Sequence, residues 1–143
     1  MNGLNQQFNG LWTYRSYKND TATLNPDTPL GDLLFGMGDI EIVDSAVNEL
    51  HGRIFGSGWE LNLNGYKTFG NPNEVRFQGR GIVGGHQWVY DYVAYLINDW
   101  PDGVDQVPAL VGSIVRTIPH PNSSGGINPA GEVASWIAVK QKC

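Results

Sequence analysis

The stretch from Glu74 to Ile97, EVRFQGRGIVGGHQWVYDYVAYLI, sets Gly84-Gly85 between two runs rich in β-branched and aromatic residues. Adjacent glycines supply the positive φ angles of a two-residue hairpin turn, so the stretch reads as two long antiparallel strands. The second strand is apolar on both faces. Trp88, Tyr90, Tyr92, Ala94 and Leu96 fall on one side, and Val89, Val93, Tyr95 and Ile97 on the other. Such a strand needs cover on both sides, most simply a barrel interior on one and another subunit or a loop on the other. A helix over Trp88 to Asp99 fits less well, because that run is dense in β-branched and aromatic residues and adjoins the glycine turn.

A two-residue turn pairs Val83 with His86, and directly opposed residues share a face. Gly81 then faces Trp88, Gly79 faces Tyr90 and Phe77 faces Tyr92, while Arg80 lies opposite Val89, Gln78 opposite Asp91 and Arg76 opposite Val93. The glycines leave room for large rings, which favours the aromatic face inside. The opposite choice would put Asp91 inside with Arg76, Gln78 and Arg80 around it, a hydrogen-bonded polar cluster of the kind enzymes use. A bulge near the turn would switch between the two.

The rest of the chain repeats the pattern. Strands are expected over about Leu11–Tyr17, Leu33–Asp44, Asn48–Phe55, Trp59–Phe69, Ala109–Ile118 and Glu132–Gln141, with long loops over Lys18–Asp32 and Asn98–Pro108. Trp59, Leu61, Leu63 and Gly65 alternate cleanly with Glu60, Asn62, Asn64 and Tyr66. With the hairpin this makes about eight strands at short spacing and no convincing helix, as in an antiparallel up-and-down β-barrel. At 143 residues one domain, 1–143, is expected. Glycine is frequent, at 19, and charged residues make up 16%, below the roughly 25% of an ordinary domain. The net charge of −5 argues against nucleic acid or an anionic membrane as partner, because both call for a basic surface. Cys143, the single cysteine, leaves no internal disulfide framework, and MNGLNQQFNG lacks the basic and apolar segments of a secretory leader. A soluble, cytoplasmic protein is expected.

Gly10-Leu11-Trp12, a G-x-W at the mouth of the first strand, resembles the corresponding element of lipocalins and their calycin relatives, including the avidins. The resemblance implies an eight-stranded barrel with Trp12 closing one end beneath a basic side chain, here Lys140 or Arg116. A T-D-Y element, the lipocalin helix and the biotin-binding pattern of avidins are missing, so the likeness concerns overall plan and not ligand.

Aromatic walls are common in ligand pockets, and Tyr14, Trp59, Phe77, Trp88, Tyr90 and Tyr92 are the candidate ligand contacts. Each has a plainer reading as core, as do Trp12 and Trp136. Asp99, Asp102 and Asp105 lack the spacing of a calcium loop, and Pro101-Asp102-Gly103 is explained as a turn. His51, His86 and His120 have no zinc-ligand spacing, and His120, between two prolines, reads as a loop residue. No metal or cofactor is expected. Three functions remain. The first is binding of a small apolar or aromatic molecule. The second is a barrel-cavity isomerase, cyclase or lyase that uses Asp91 or a tyrosine with Arg76 or Arg80. The third is a structural or interaction protein with a filled barrel. The outer strip of Val89, Val93, Tyr95 and Ile97 adds the expectation of a homo-oligomer, dimer or tetramer.

Overall fold

The fold was taken from a computed structural model that describes residues 7–19, 27–44, 48–97 and 102–141. Eight strands alternate in direction and close on themselves: β1 (Gly10–Lys18), β2 (Leu34–Asp44), β3 (Glu49–Gly56), β4 (Trp59–Thr68), β5 (Glu74–Val83), β6 (His86–Ile97), β7 (Ala109–Arg116) and β10 (Val133–Val139). Each lies beside its sequence neighbour, and β10 pairs with both β7 and β1 to complete the ring. Between β7 and β10 the two-residue strands β8 (His120–Pro121) and β9 (Ile127–Asn128) form a small flap. Among the described residues the one helical element, α1 (Leu30–Leu33), is a single turn held by the Asp32 N–H on the Pro29 carbonyl, so the segment expected as loop contains a turn of helix.

The central hairpin has the register that its turn dictates. Gly84 and Gly85 adopt φ of 58° and 84°, Val83 pairs with His86, and Gln78 lies opposite Asp91. The aromatic face is inside: Tyr90 and Tyr92 are buried and Asp91 is exposed. The glycines of β5 act differently from a simple vacancy for the opposed ring. A Cβ on Gly81 would come within 2.5 Å of the Glu60 carbonyl oxygen, and one on Gly79 within about 3.2 Å of Tyr92 and Leu63. Gly81 therefore lets β4 approach closely, and Gly79 accommodates the ring of Tyr92, two residues along from its partner Tyr90.

Alternate residues of every long strand fill the interior. Trp12, Ile40, Ile42, Leu50, Ile54, Leu61, Leu63, Val75, Leu96 and Leu110 are all essentially inaccessible. Around Trp12 the described side chains of Phe8, Ile42 and Leu50 are fully buried. The Trp12 indole N–H donates to the Phe8 carbonyl at 2.9 Å, and the Lys140 ammonium sits 5.7 Å from the ring centre. Lys140, not Arg116, is thus the basic partner of this tryptophan. The same alternation carries two charges inside: Lys67 continues the Leu61, Leu63, Gly65 face of β4, and Asp44 continues the Ile40, Ile42 face of β2. They form an ion pair with both side chains buried. Among the described residues, Asp44 Oδ2 is left without a hydrogen-bond partner. Cys143 lies outside the described residues.

Burial of Trp12 sets its energetic weight. Replacing it by alanine removes a large side chain from a site that cannot collapse and should cost about 3–5 kcal/mol. Chemical denaturation should therefore show a clearly lowered midpoint; an unchanged midpoint would mean that the barrel end does not depend on this ring.

Candidate binding cavity at the barrel mouth

At the end opposite Trp12 the interior is not filled. A cavity of about 170 Å³ opens there, lined by Tyr14, Phe35, Gly36, Trp59, Leu61, Trp88, Tyr90, Tyr92 and Ile114. Trp136 supports it from beneath, with ring centres 6.2 Å from Tyr14 and 5.9 Å from Tyr92. Five of the sequence candidates, Tyr14, Trp59, Trp88, Tyr90 and Tyr92, come together in this wall; Phe77 does not, being buried deeper in the core. Phe35 was not foreseen. By strict alternation it would point outward, but the β1–β2 pairing slips between Ser16 and Tyr17, so that Tyr17 faces Leu34 and Phe35 is the extra residue. The irregularity re-aims its ring to the mouth, where it meets Tyr90 edge-on at 6.2 Å.

Asp91, Arg76 and Arg80 sit on the outer surface. Asp91 accepts from Gln78 at 2.9 Å, Arg80 donates to the Gln78 side-chain oxygen at 2.6 Å, and Arg76 pairs with Glu74 at 3.0 Å. The barrel wall separates this row from the cavity. Of the calcium candidates, Asp102 and Asp105 are exposed and Asp99 lies outside the described residues. Among the described residues no three His, Cys, Asp or Glu side chains converge.

The polar groups at the rim form one continuous chain. Arg116, which follows Ile114 on the inward face of β7, donates to the Glu132 carboxylate, to the Pro129 carbonyl at 3.2 Å and through Nε to the Tyr90 hydroxyl at 3.0 Å. Tyr90 Oη lies 3.0 Å from His120 Nε2, and His120 Nδ1 lies 3.2 Å from the Pro121 carbonyl. A carbonyl only accepts, so Nδ1 carries the proton, Nε2 accepts, and Tyr90 donates to it while accepting from Arg116. His120 is therefore not a free loop residue: it is buried in β8 and stacked on Trp88 with ring centres 4.2 Å apart. Its ionisation is held below the ordinary imidazole value, mainly by burial; the Pro121 hydrogen bond opposes this, and Arg116 and His86 lower it further.

Deeper in the wall, the Tyr14 hydroxyl donates to Ser16 Oγ at 2.6 Å. Tyr14, Tyr90 and Tyr92 are all pushed up by burial, so the phenols stay protonated at neutral pH. For Tyr92 the nearby phenols of Tyr14 and Tyr90 add to this rise. No family model, curated protein or solved structure matches the chain.

The imidazole gives the site a pH dependence of definite sign. Because its pKa is lower folded than unfolded, the unfolded chain binds the extra proton first, so this contribution is complete above about pH 6.5 and is lost as pH falls through that value toward the folded one. Stability to urea should thus fall from pH 7 to pH 5 more steeply in the wild type than in His120→Gln. Equal falls would show that His120 does not titrate against the mouth.

Proposed function

We propose that the protein binds a small apolar or aromatic molecule in the mouth of a lipocalin-like or avidin-like barrel. The aromatic cavity supports this reading most directly: a space of about 170 Å³ with no charged side chain among its described lining residues. Apolar cavities of roughly 150 Å³ stay dry and accept a benzene ring, so one aromatic ring matches the space. The G-x-W with Trp12 buried under Lys140 supports the calycin likeness of the closed end. An enzyme is the second reading, and Tyr90 held between Arg116 and His120 favours it more than Asp91 with Arg76 or Arg80. Native mass spectrometry of freshly purified protein should retain a small organic molecule, and Leu61→Trp, which fills the cavity, should abolish that retention. Protein that never carries a ligand and whose melting temperature no single-ring compound raises would count against binding.

We also propose that the outer face of β6, β7 and β10 meets a second copy of the chain. Tyr95 pairs with Val111 and Val111 with Ile137 in one row, with Val93, Ile97, Val115 and Val133 around it. Tyr95 and Ile97 are about half exposed, at 48% and 49%, whereas Val89, expected in the same strip, is covered and has its carbonyl bonded by Thr117. Charge is sparse on this face, with Asp91 at one end, as at the centres of protein interfaces. Light scattering should report a dimer or tetramer that Val93→Asp weakens. A wild-type monomer at high micromolar concentration would reject the assembly.

A further inference from the structure

The cavity is apolar in bulk, so the destination of each of its hydroxyl protons restricts what can enter. Tyr14 commits its proton to Ser16, and Ser16 Oγ faces the Gly36 carbonyl at 3.5 Å. Tyr90 commits its proton to His120, whose own ring proton is on Pro121. Tyr92 differs. It is 4% exposed, lines the cavity, and makes no side-chain hydrogen bond among the described residues. Asp44 Oδ2 is the one side-chain polar atom among them that is both enclosed and unpartnered, so the equally unpartnered Tyr92 oxygen is not enclosed; its side chain faces the barrel interior, where the cavity is the space that it lines.

A phenol lends its oxygen lone pairs to the ring, which makes it a good donor and a poor acceptor. The group that Tyr92 is built to meet is therefore an acceptor. An anionic acceptor is disfavoured, because Arg116, the cation bonded to the cavity wall at Tyr90, is already engaged by Glu132, Pro129 and Tyr90, and burying an uncompensated charge is costly. We propose that the ligand is a neutral carbonyl compound, a ketone or aldehyde on a single aromatic ring, with its oxygen accepting from the Tyr92 hydroxyl and its ring held between Trp59, Trp88 and Phe35. This rests on the reading of the cavity as a binding site and narrows it to one functional group.

The test uses three probes of similar size on the full chain: acetophenone, ethylbenzene and benzoate, with dissociation constants from NMR titration. Acetophenone should bind about tenfold more tightly than ethylbenzene, because only it satisfies the buried donor. Tyr92→Phe should erase that preference while leaving ethylbenzene unchanged. Equal binding of acetophenone and ethylbenzene would overturn the carbonyl site but leave the cavity as a binding site, whereas failure of all three would overturn both. Benzoate as the tightest probe would overturn the neutral ligand. Should Tyr92→Phe not fold, the carbonyl stretch of isotope-labelled acetophenone bound to wild-type protein decides the matter. A shift to lower wavenumber than in hexane supports the hydrogen bond, and an unshifted band overturns it.

Discussion

Closure is the constraint on which the rest of the molecule depends. Once β1 pairs with β10 the sheet has no free edge, every backbone polar group along the ring can be satisfied, and each strand must divide its side chains between an inside of fixed volume and an outside. The inside holds only so many large side chains. Around Trp12 the described side chains of Phe8, Ile42 and Leu50 are fully buried, while at the other end bulky rings lean on one another around the rim and leave a space between them. The cavity is thus a product of uneven packing in a closed cylinder and not of any added lobe or domain.

Much of this plan was legible in the sequence because strand alternation has a period of two and the Gly84-Gly85 turn fixes the register. Both act locally, and together they gave the interior ring set of β6 and the outward position of Asp91. What escaped was decided by contacts distant in sequence. His120 lies between prolines, a context that speaks of a loop, yet its ring is held by Trp88 and Tyr90 from another strand. Phe35 depends on a slip in pairing between β1 and β2 that no single-strand pattern displays. Ser16, Asp44 and Lys67 are a different kind of omission, and Arg116 was a candidate partner of Trp12 instead of a residue of the mouth. Each continues an inward-facing alternation by one step, so the signal was present in the strand period. Phe77 shows the converse, since facing inward assigns a residue to the interior without saying at what depth.

The rim joins rigidity to chemistry. The chain from Glu132 through Arg116, Tyr90 and His120 to Pro121 uses donors and acceptors from β6, β7, the flap and the segment before β10. Each group is oriented by the next, so the flap is fastened to the cavity wall by directional bonds in addition to apolar contact. Stacking of His120 on Trp88 puts the flap directly behind one of the cavity-lining rings. Any change in the flap's position would be felt at the wall through that stack.

The buried pair of Asp44 and Lys67 has a consequence for how the barrel assembles. β2 and β4 do not touch as neighbours in the sheet; β3 lies between them, and the two charges meet across the interior. A half-built barrel with β2 in place and β4 absent would hold the Asp44 carboxylate without its ammonium against apolar surface, at a cost of several kcal/mol. An apolar pair could wait for its partner or settle for another. A buried carboxylate is less tolerant, so the pair penalises closures that leave Asp44 without its ammonium.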